Sequence, residues 1–128
     1  MKNHSLLVVE DSEIDQYIVK YMIQKFDPEL EILQALDGQE ALEILTMLKE
    51  QPIIIFLDIN MPRMNGHEFL EEYENSILIK TPVIMLSSSF QKTDIERCLM
   101  YRCVKKYIAK PLDEPNLKSV LELANIYR

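Results

Sequence analysis

Four short apolar stretches of this 128-residue chain are each followed at once by side chains that can do chemistry. Glu10 and Asp11 follow Leu6–Val9. Asp58 follows Ile53–Leu57. Ser87, Ser88 and Ser89 follow Val83–Leu86, and Lys110, with Pro111 behind it, follows Tyr107–Ala109. Three carboxylates brought together repel one another, and one is pushed to protonate unless a cation joins them. Oxygen donors with no thiol or imidazole among them favour a hard cation, Mg2+ above all. A hydroxyl and an ammonium on the other side suit the oxygens of a phosphoryl group, with one carboxylate placed to attack phosphorus. Each element alone has a plainer reading. An acidic pair after a strand caps a helix, Asp58 before Ile59-Asn60-Met61-Pro62 starts a turn, a lysine before proline lies on the surface, and a serine triplet forms a loop. The chemical reading rests on all four occurring together, in order, at strand ends.

The elements that must position these residues are legible as alternation. The short apolar runs, with a weaker one at Ile32–Ala35, sit between longer stretches of helical period. Three of the short runs are continuous Val, Ile or Leu, as expected of strands covered on both faces of a parallel sheet. Ile14, Tyr17, Ile18, Tyr21 and Met22 form the apolar stripe expected for the first helix, opened by a capping box from Ser12 to Asp15. Ala41, Leu42, Leu45 and Leu48 mark a second helix, with Asp37 as N-cap and Pro52 beyond its end. Phe69, Leu70 and Tyr73 mark a third, Ile95, Cys98 and Leu99 a fourth, and Leu117, Val120, Leu121 and Ala124 a fifth, with Pro115 in its first turn. Five strand–helix units imply right-handed crossovers and a doubly wound α/β domain, whose ligands bind outside the carboxyl ends of the strands.

Composition removes several classes. One domain is expected from the length, 1–128, with no linker and no output domain. Lys plus Arg is 14 against 21 Asp plus Glu, a formal charge of −7, which argues against a nucleic-acid face. No apolar run is long enough for a bilayer and none resembles a signal peptide, so a cytoplasmic chain is expected. The two cysteines, Cys98 and Cys103, are read as reduced thiols, since two make no disulfide framework and the two histidines offer no zinc spacing. Two glycines, Gly38 and Gly66, are too few and too far apart for a Walker loop or a dinucleotide fingerprint.

The segments Leu7-Val8-Val9-Glu10-Asp11-Ser12, Phe56 through Gly66, Pro82 through Ser89 and Tyr107-Ile108-Ala109-Lys110-Pro111 together resemble the receiver domain of two-component response regulators. The likeness runs from about Ser5 to Leu123. It implies a flavodoxin-like (βα)5 fold with strand order 2-1-3-4-5. It also implies roles. Asp58 is the phosphoacceptor and forms an acyl phosphate. Asp11, Asp58 and the backbone carbonyl of Asn60 hold Mg2+, with Glu10 acting mainly through a metal-bound water. Lys110 and Ser87 bind phosphoryl oxygens, Ser87 and Tyr107 form the switch, and Asn60 and Ser89 tune loss of the phosphoryl group. When Ser87 is drawn toward the phosphoryl group, Tyr107 turns into the vacated space and reshapes the face of the fourth helix, fifth strand and fifth helix. The chain departs from the usual pattern at Glu10, where Asp is commoner, at Ser87, where Thr is commoner, and at Cys103, where Gly is usual.

The implied function is phosphorelay: a phosphoryl group passes from a sensor histidine kinase or a histidine phosphotransfer protein to Asp58, and partner binding then changes. Homodimer formation on phosphorylation stays open. Candidate partner contacts are Arg97, Met100, Tyr101, Lys105, Lys106 and Tyr107, with the two lysines individually read as a solvated loop before an edge strand. His67 is read as a surface residue. Two other functions compete. A phosphatase of the haloacid-dehalogenase type needs a second Asp two residues after its nucleophile, and Asn60 stands there. A pseudo-receiver, a scaffold that binds without phosphorylation, usually lacks an acidic residue or the lysine, and this chain keeps them.

Overall fold

A computed structural model of the chain describes residues 4–124. Five parallel strands alternate with five helices: β1 (Ser5–Val9), α1 (Glu13–Phe26), β2 (Glu31–Ala35), α2 (Gly38–Met47), β3 (Ile54–Leu57), α3 (Gly66–Glu74), β4 (Val83–Ser87), α4 (Lys92–Leu99), β5 (Val104–Ala109) and α5 (Glu114–Leu123). The strands lie in the order β2-β1-β3-β4-β5, all parallel, as the resemblance implied. Their side chains alternate between two cores. Leu7, Val9, Ile55, Leu57, Val83 and Met85 face α2, α3 and α4, while Leu6, Val8, Ile54, Phe56, Ile84 and Leu86 face α1 and α5. This period of two is why the three central strands, β1, β3 and β4, read as unbroken apolar runs: both of their faces are buried.

The register places the chemical residues on one edge. Val9 is paired with Leu57, so Glu10 and Asp58 leave adjacent strands at the same level. Ser87 is paired with Ala109, so Lys110 leaves β5 one residue beyond Ser87, its N–H donating to the Ser87 carbonyl. Because β1 is flanked by β2 on one side and β3 on the other, the connections after β1 and β3 diverge to opposite faces and open a crevice there.

Helix starts follow local chemistry. Asp37, Asn65 and Asp113 cap α2, α3 and α5, each accepting from the backbone N–H three residues on, and Asn65 with Glu68 completes a capping box. Ser12 caps α1 by accepting from Asp15 N. The box expected there is only half made: Ser12 N donates to Glu10 Oε2 instead, and the Asp15 carboxylate points elsewhere.

The buried face of α1 differs from the expected stripe. Gln16, Val19 and Ile23 are buried, whereas Ile14, Tyr17, Ile18 and Tyr21 are exposed, Ile14 to 73%. The cause is Gln16. Its Nε2 donates to the carbonyls of Val8, Glu10 and Ala35, tying the carboxyl ends of β1 and β2 to the helix. Those contacts set the rotation of α1 against the stronger apolar stripe. On α4 the expected Ile95–Leu99 stripe is likewise weak, and Cys98 alone is fully buried.

The segment between Asp58 and α3 is packed from two sides by the two glycines. A Cβ on Gly38 would lie 2.8 Å from Met64 Cγ, and one on Gly66 would lie 2.4 Å from the Asp58 carbonyl oxygen. Arg63, in the middle, has φ of 60° and donates Nε and Nη2 to Asp37 at 2.8 and 3.1 Å. Cys103 stands where the resemblance expects glycine, yet it has no positive φ. Its N–H and that of Arg102 both donate to Glu74 Oε1, which holds the turn into β5.

Candidate functional site

The strand ends converge as expected. One carboxylate oxygen each from Glu10, Asp11 and Asp58 lie within 4.8 Å of one another. Glu10 and Asp58 are buried while Asp11 is exposed, so the cluster opens to solvent on one side. Asp58 Oδ1 accepts from Ile59 N at 2.7 Å, and Oδ2 lies 3.0 Å from Lys110 Nζ. Lys110 Nζ donates to Glu10 Oε1 as well, and to Asp15 Oδ2 at 2.8 Å. One ammonium is therefore shared among three carboxylates from β1, α1 and β3.

The electrostatics follow from this sharing. Burial pushes the Glu10 carboxyl up to about 7, against the pull of the Lys110 and Ser12 hydrogen bonds and with the Asp58 charge adding to the rise. Burial alone would lower the Lys110 ammonium, but its bonds to Asp15, Glu10 and Asp58 outweigh that and hold it above the ordinary lysine range. Four carboxylates against one ammonium leave an excess of negative charge. Together with the all-oxygen donor set, that excess fits a hard divalent cation.

Asp15 was not among the expected site residues. Its sequence signal was ambiguous: three residues after Ser12 it read as a helix-capping acid, and only the rotation of α1 set by Gln16 aims it at Lys110. Asn60 is exposed, two residues beyond Asp58 in the β3–α3 connection.

Ser87 is fully buried at the end of β4, and its Oγ accepts from Ser89 N at 3.1 Å. A hydroxyl that accepts in this way keeps its own proton for another acceptor. The ring of Tyr107 is half-buried, and its hydroxyl donates to the Ser89 carbonyl at 3.1 Å. Burial pushes that phenol above its ordinary value. The aromatic group is thus seated against the β4–α4 connection while Ser87 is still bonded to Ser89. Serine has no γ-methyl, so it leaves more room beside the ring than threonine would. Ser89 Oγ donates to Asp94 Oδ2 at 2.8 Å and accepts from Gln91 N, so that hydroxyl is directed into the start of α4.

His67 corrects the surface reading. It is 6% exposed, with Nε2 3.1 Å from Asp94 Oδ1 and Nδ1 3.8 Å from Cys98 Sγ. Histidine on a helix start reads as surface because its partners lie 27 and 31 residues on, in α4. Of the candidate partner contacts, Arg97, Met100 and Lys105 are exposed, while Tyr101 and Tyr107 pack partly against the core. Lys105 and Lys106 lie within β5 rather than in a loop before it, and Lys106 Nζ donates to Ser119 Oγ on α5.

Both cysteines are free and buried. Burial, reinforced by Asp94, pushes the Cys98 thiol up to about 11, and burial with Glu74 pushes Cys103 up to about 12. Neither is a nucleophile at neutral pH. Iodoacetamide at pH 8 is expected to leave both unmodified in the folded chain and to alkylate both in denaturant, read by intact mass. Rapid native labelling of either would contradict the burial.

Comparison with known proteins agrees with this geometry. Residues 6–122 match the response regulator receiver domain. The chain is 33% identical over 119 residues to chemotaxis protein CheY1 of Helicobacter pylori, covering 92% of this chain and 94% of that one. It is 30% identical over 119 residues to the osmosensing histidine protein kinase SLN1 of Saccharomyces cerevisiae, covering 91% of this chain but only 10% of the kinase. Against a methylesterase/glutaminase of Syntrophus aciditrophicus it likewise spans only 30% of the relative's length. The phosphorylated cyanobacterial phytochrome response regulator RcpA superposes with a TM-score of 0.78 at 26% identity, covering 96% of this chain and 89% of that one. No helix among the described residues is long and apolar enough to cross a membrane. By sequence, topology and the arrangement of its strand-end side chains, the chain belongs to the response regulator receiver domains of two-component phosphorelay systems.

Proposed function

We propose that this receiver takes a phosphoryl group on Asp58 from a phosphohistidine of a sensor kinase or a histidine phosphotransfer protein, and that the modification changes what binds its α4–β5–α5 face. The observation that carries this reading is the pairing of Asp58 Oδ2 with Lys110 Nζ at 3.0 Å inside the Glu10–Asp11–Asp58 cluster. A carboxylate of Asp58 attacks phosphorus, the P–N bond to the donor imidazole breaks, and the imidazole leaves with the electron pair and takes up a proton. Lys110 moves its hydrogen bond from the Asp58 oxygen to a phosphoryl oxygen and neutralises charge that spreads there. The Ser87 hydroxyl, already oriented by Ser89 N, donates its proton to a second phosphoryl oxygen. Glu10, Asp11, Asp58 and the Asn60 carbonyl would hold Mg2+, which when bound supplies positive charge to the transferring group.

The test is intact-protein mass spectrometry after incubation with Mg2+ and acetyl phosphate, followed by borohydride reduction and peptide mapping. We expect a gain of one phosphoryl group, prevented by EDTA, and conversion of residue 58 to homoserine. No gain from acetyl phosphate or from a phosphohistidine donor protein would overturn the reading in favour of a phosphorylation-independent scaffold.

A further inference from the structure

α4 is the helix with the fewest buried side chains. It has eight residues, Cys98 is its single fully buried side chain, and its N-cap Gln91 makes no side-chain cap bond. Two residues one turn apart on its inner face, Asp94 and Cys98, meet the same partner, His67 at the start of α3. An Asp94 carboxylate only accepts, so the ring nitrogen Nε2 donates to Asp94 Oδ1, while Nδ1 faces the Cys98 sulfur. Hydrogen bonds from Ser89 and His67 hold the Asp94 carboxyl below the usual carboxylate range, so it is charged where it meets the ring.

From Asp94 the connection continues without a break. Asp94 Oδ2 accepts from Ser89 Oγ, Ser89 N donates to Ser87 Oγ, and Ser89 O accepts from the Tyr107 hydroxyl. Every polar group of Ser89 is engaged, with its side chain facing the histidine link and its backbone facing Ser87 and Tyr107. A chain of this kind, closed at each step, holds its members more firmly than separate pairs would.

We infer that His67 is a positioning residue of the switch: by clamping Asp94 and Cys98 of α4 to α3 it fixes Ser89, and through Ser89 it sets the Ser87 hydroxyl and seats the Tyr107 ring. The part of this inference that concerns signalling rests on the proposed phosphorelay function. The clamp itself is a property of the resting chain.

The experiment uses the full chain labelled with carbon-13 at tyrosine rings and nitrogen-15 at amides, without any phosphodonor. Tyr107 is assigned with Tyr107→Phe. His67→Leu keeps the site apolar and removes the donor. It is expected to move the Tyr107 ring signals toward those of an exposed tyrosine and to speed Ser89 amide exchange about tenfold or more. His67→Gln, whose amide N–H reaches toward Asp94, is expected to recover most of both signals. Asp94→Ala removes the His67 and Ser89 bonds of that carboxylate together, should His67→Leu fold poorly, and is expected to give at least as large a displacement. Parental Tyr107 and Ser89 signals in a folded His67→Leu or Asp94→Ala chain would overturn the clamp, as would His67→Gln behaving like His67→Leu. All of these spectra are read before phosphoryl transfer is attempted, so the clamp and the function of Asp58 fail separately.

Discussion

Gly66→Ala is expected to cost the fold at least ~3 kcal/mol and to displace Asp58 in whatever remains folded. The added methyl would sit 2.4 Å from the Asp58 carbonyl oxygen and 2.9 Å from Ile59 Cα, which are backbone atoms that no rotamer change can move. Gly66 is not needed for its backbone conformation, since no described glycine has positive φ. It is needed because the start of α3 rests directly on the chain that carries Asp58, with Gly66 N donating to Ile59 O at 2.8 Å. Separating them enough for a methyl would stretch that bond and tilt Asp58 away from Lys110. The check is urea denaturation beside acetyl phosphate labelling. Stability within ~1 kcal/mol of the parent would show that the β3–α3 connection yields more easily than its packing implies.

Lys110→Met should produce the second large effect, and in two quantities. Methionine keeps much of the length and removes the charge. Glu10, Asp15 and Asp58 then lose the ammonium they share, and two of them are buried. Removing one partner from a buried ion pair costs about 3 kcal/mol, and here the repulsion among the remaining carboxylates acts in the same direction. The loss is expected in EDTA and is expected to shrink when Mg2+ is added, because a bound cation supplies the missing positive charge and stabilises only the folded chain. Phosphoryl gain from acetyl phosphate should fall about 100-fold even with Mg2+, since the cation does not replace a donor aimed at the phosphoryl oxygen. Denaturation in EDTA and in Mg2+, together with labelling rates, checks both. An unaltered labelling rate would remove Lys110 from the transfer step.

The three central strands were legible because burial on both sheet faces leaves nearly continuous apolar runs. The parallel topology then brings whatever follows those runs to one edge, which is why Glu10, Asp11, Asp58, Ser87 and Lys110 could be grouped before any geometry was known. What misled was polarity inside. The rotation of α1 is set by the Gln16 amide on three strand-end carbonyls, and that bonding carries no hydrophobic signal. The exposed Ile14–Tyr17–Ile18–Tyr21 stripe therefore looked like the core face. Asp15 was hidden by the same rotation, having an adequate local role beside Ser12. His67 was hidden by distance, since a buried histidine is recognised by its partners, and Asp94 and Cys98 belong to another helix.

The sharing of Lys110 also has a consequence for the order in which the molecule is made. Lys110 is separated by 100 residues from Glu10, 95 from Asp15 and 52 from Asp58. During synthesis the chain emerges from its amino end, so β1, β2 and β3 can pair while β5 is still being added. Over that interval the growing sheet carries its acids with no base beside them. The contact that balances the site is among the most distant in the sequence and therefore among the slowest to close. A nascent receiver of this kind therefore carries its least balanced cluster of negative charge before its last strand is in place.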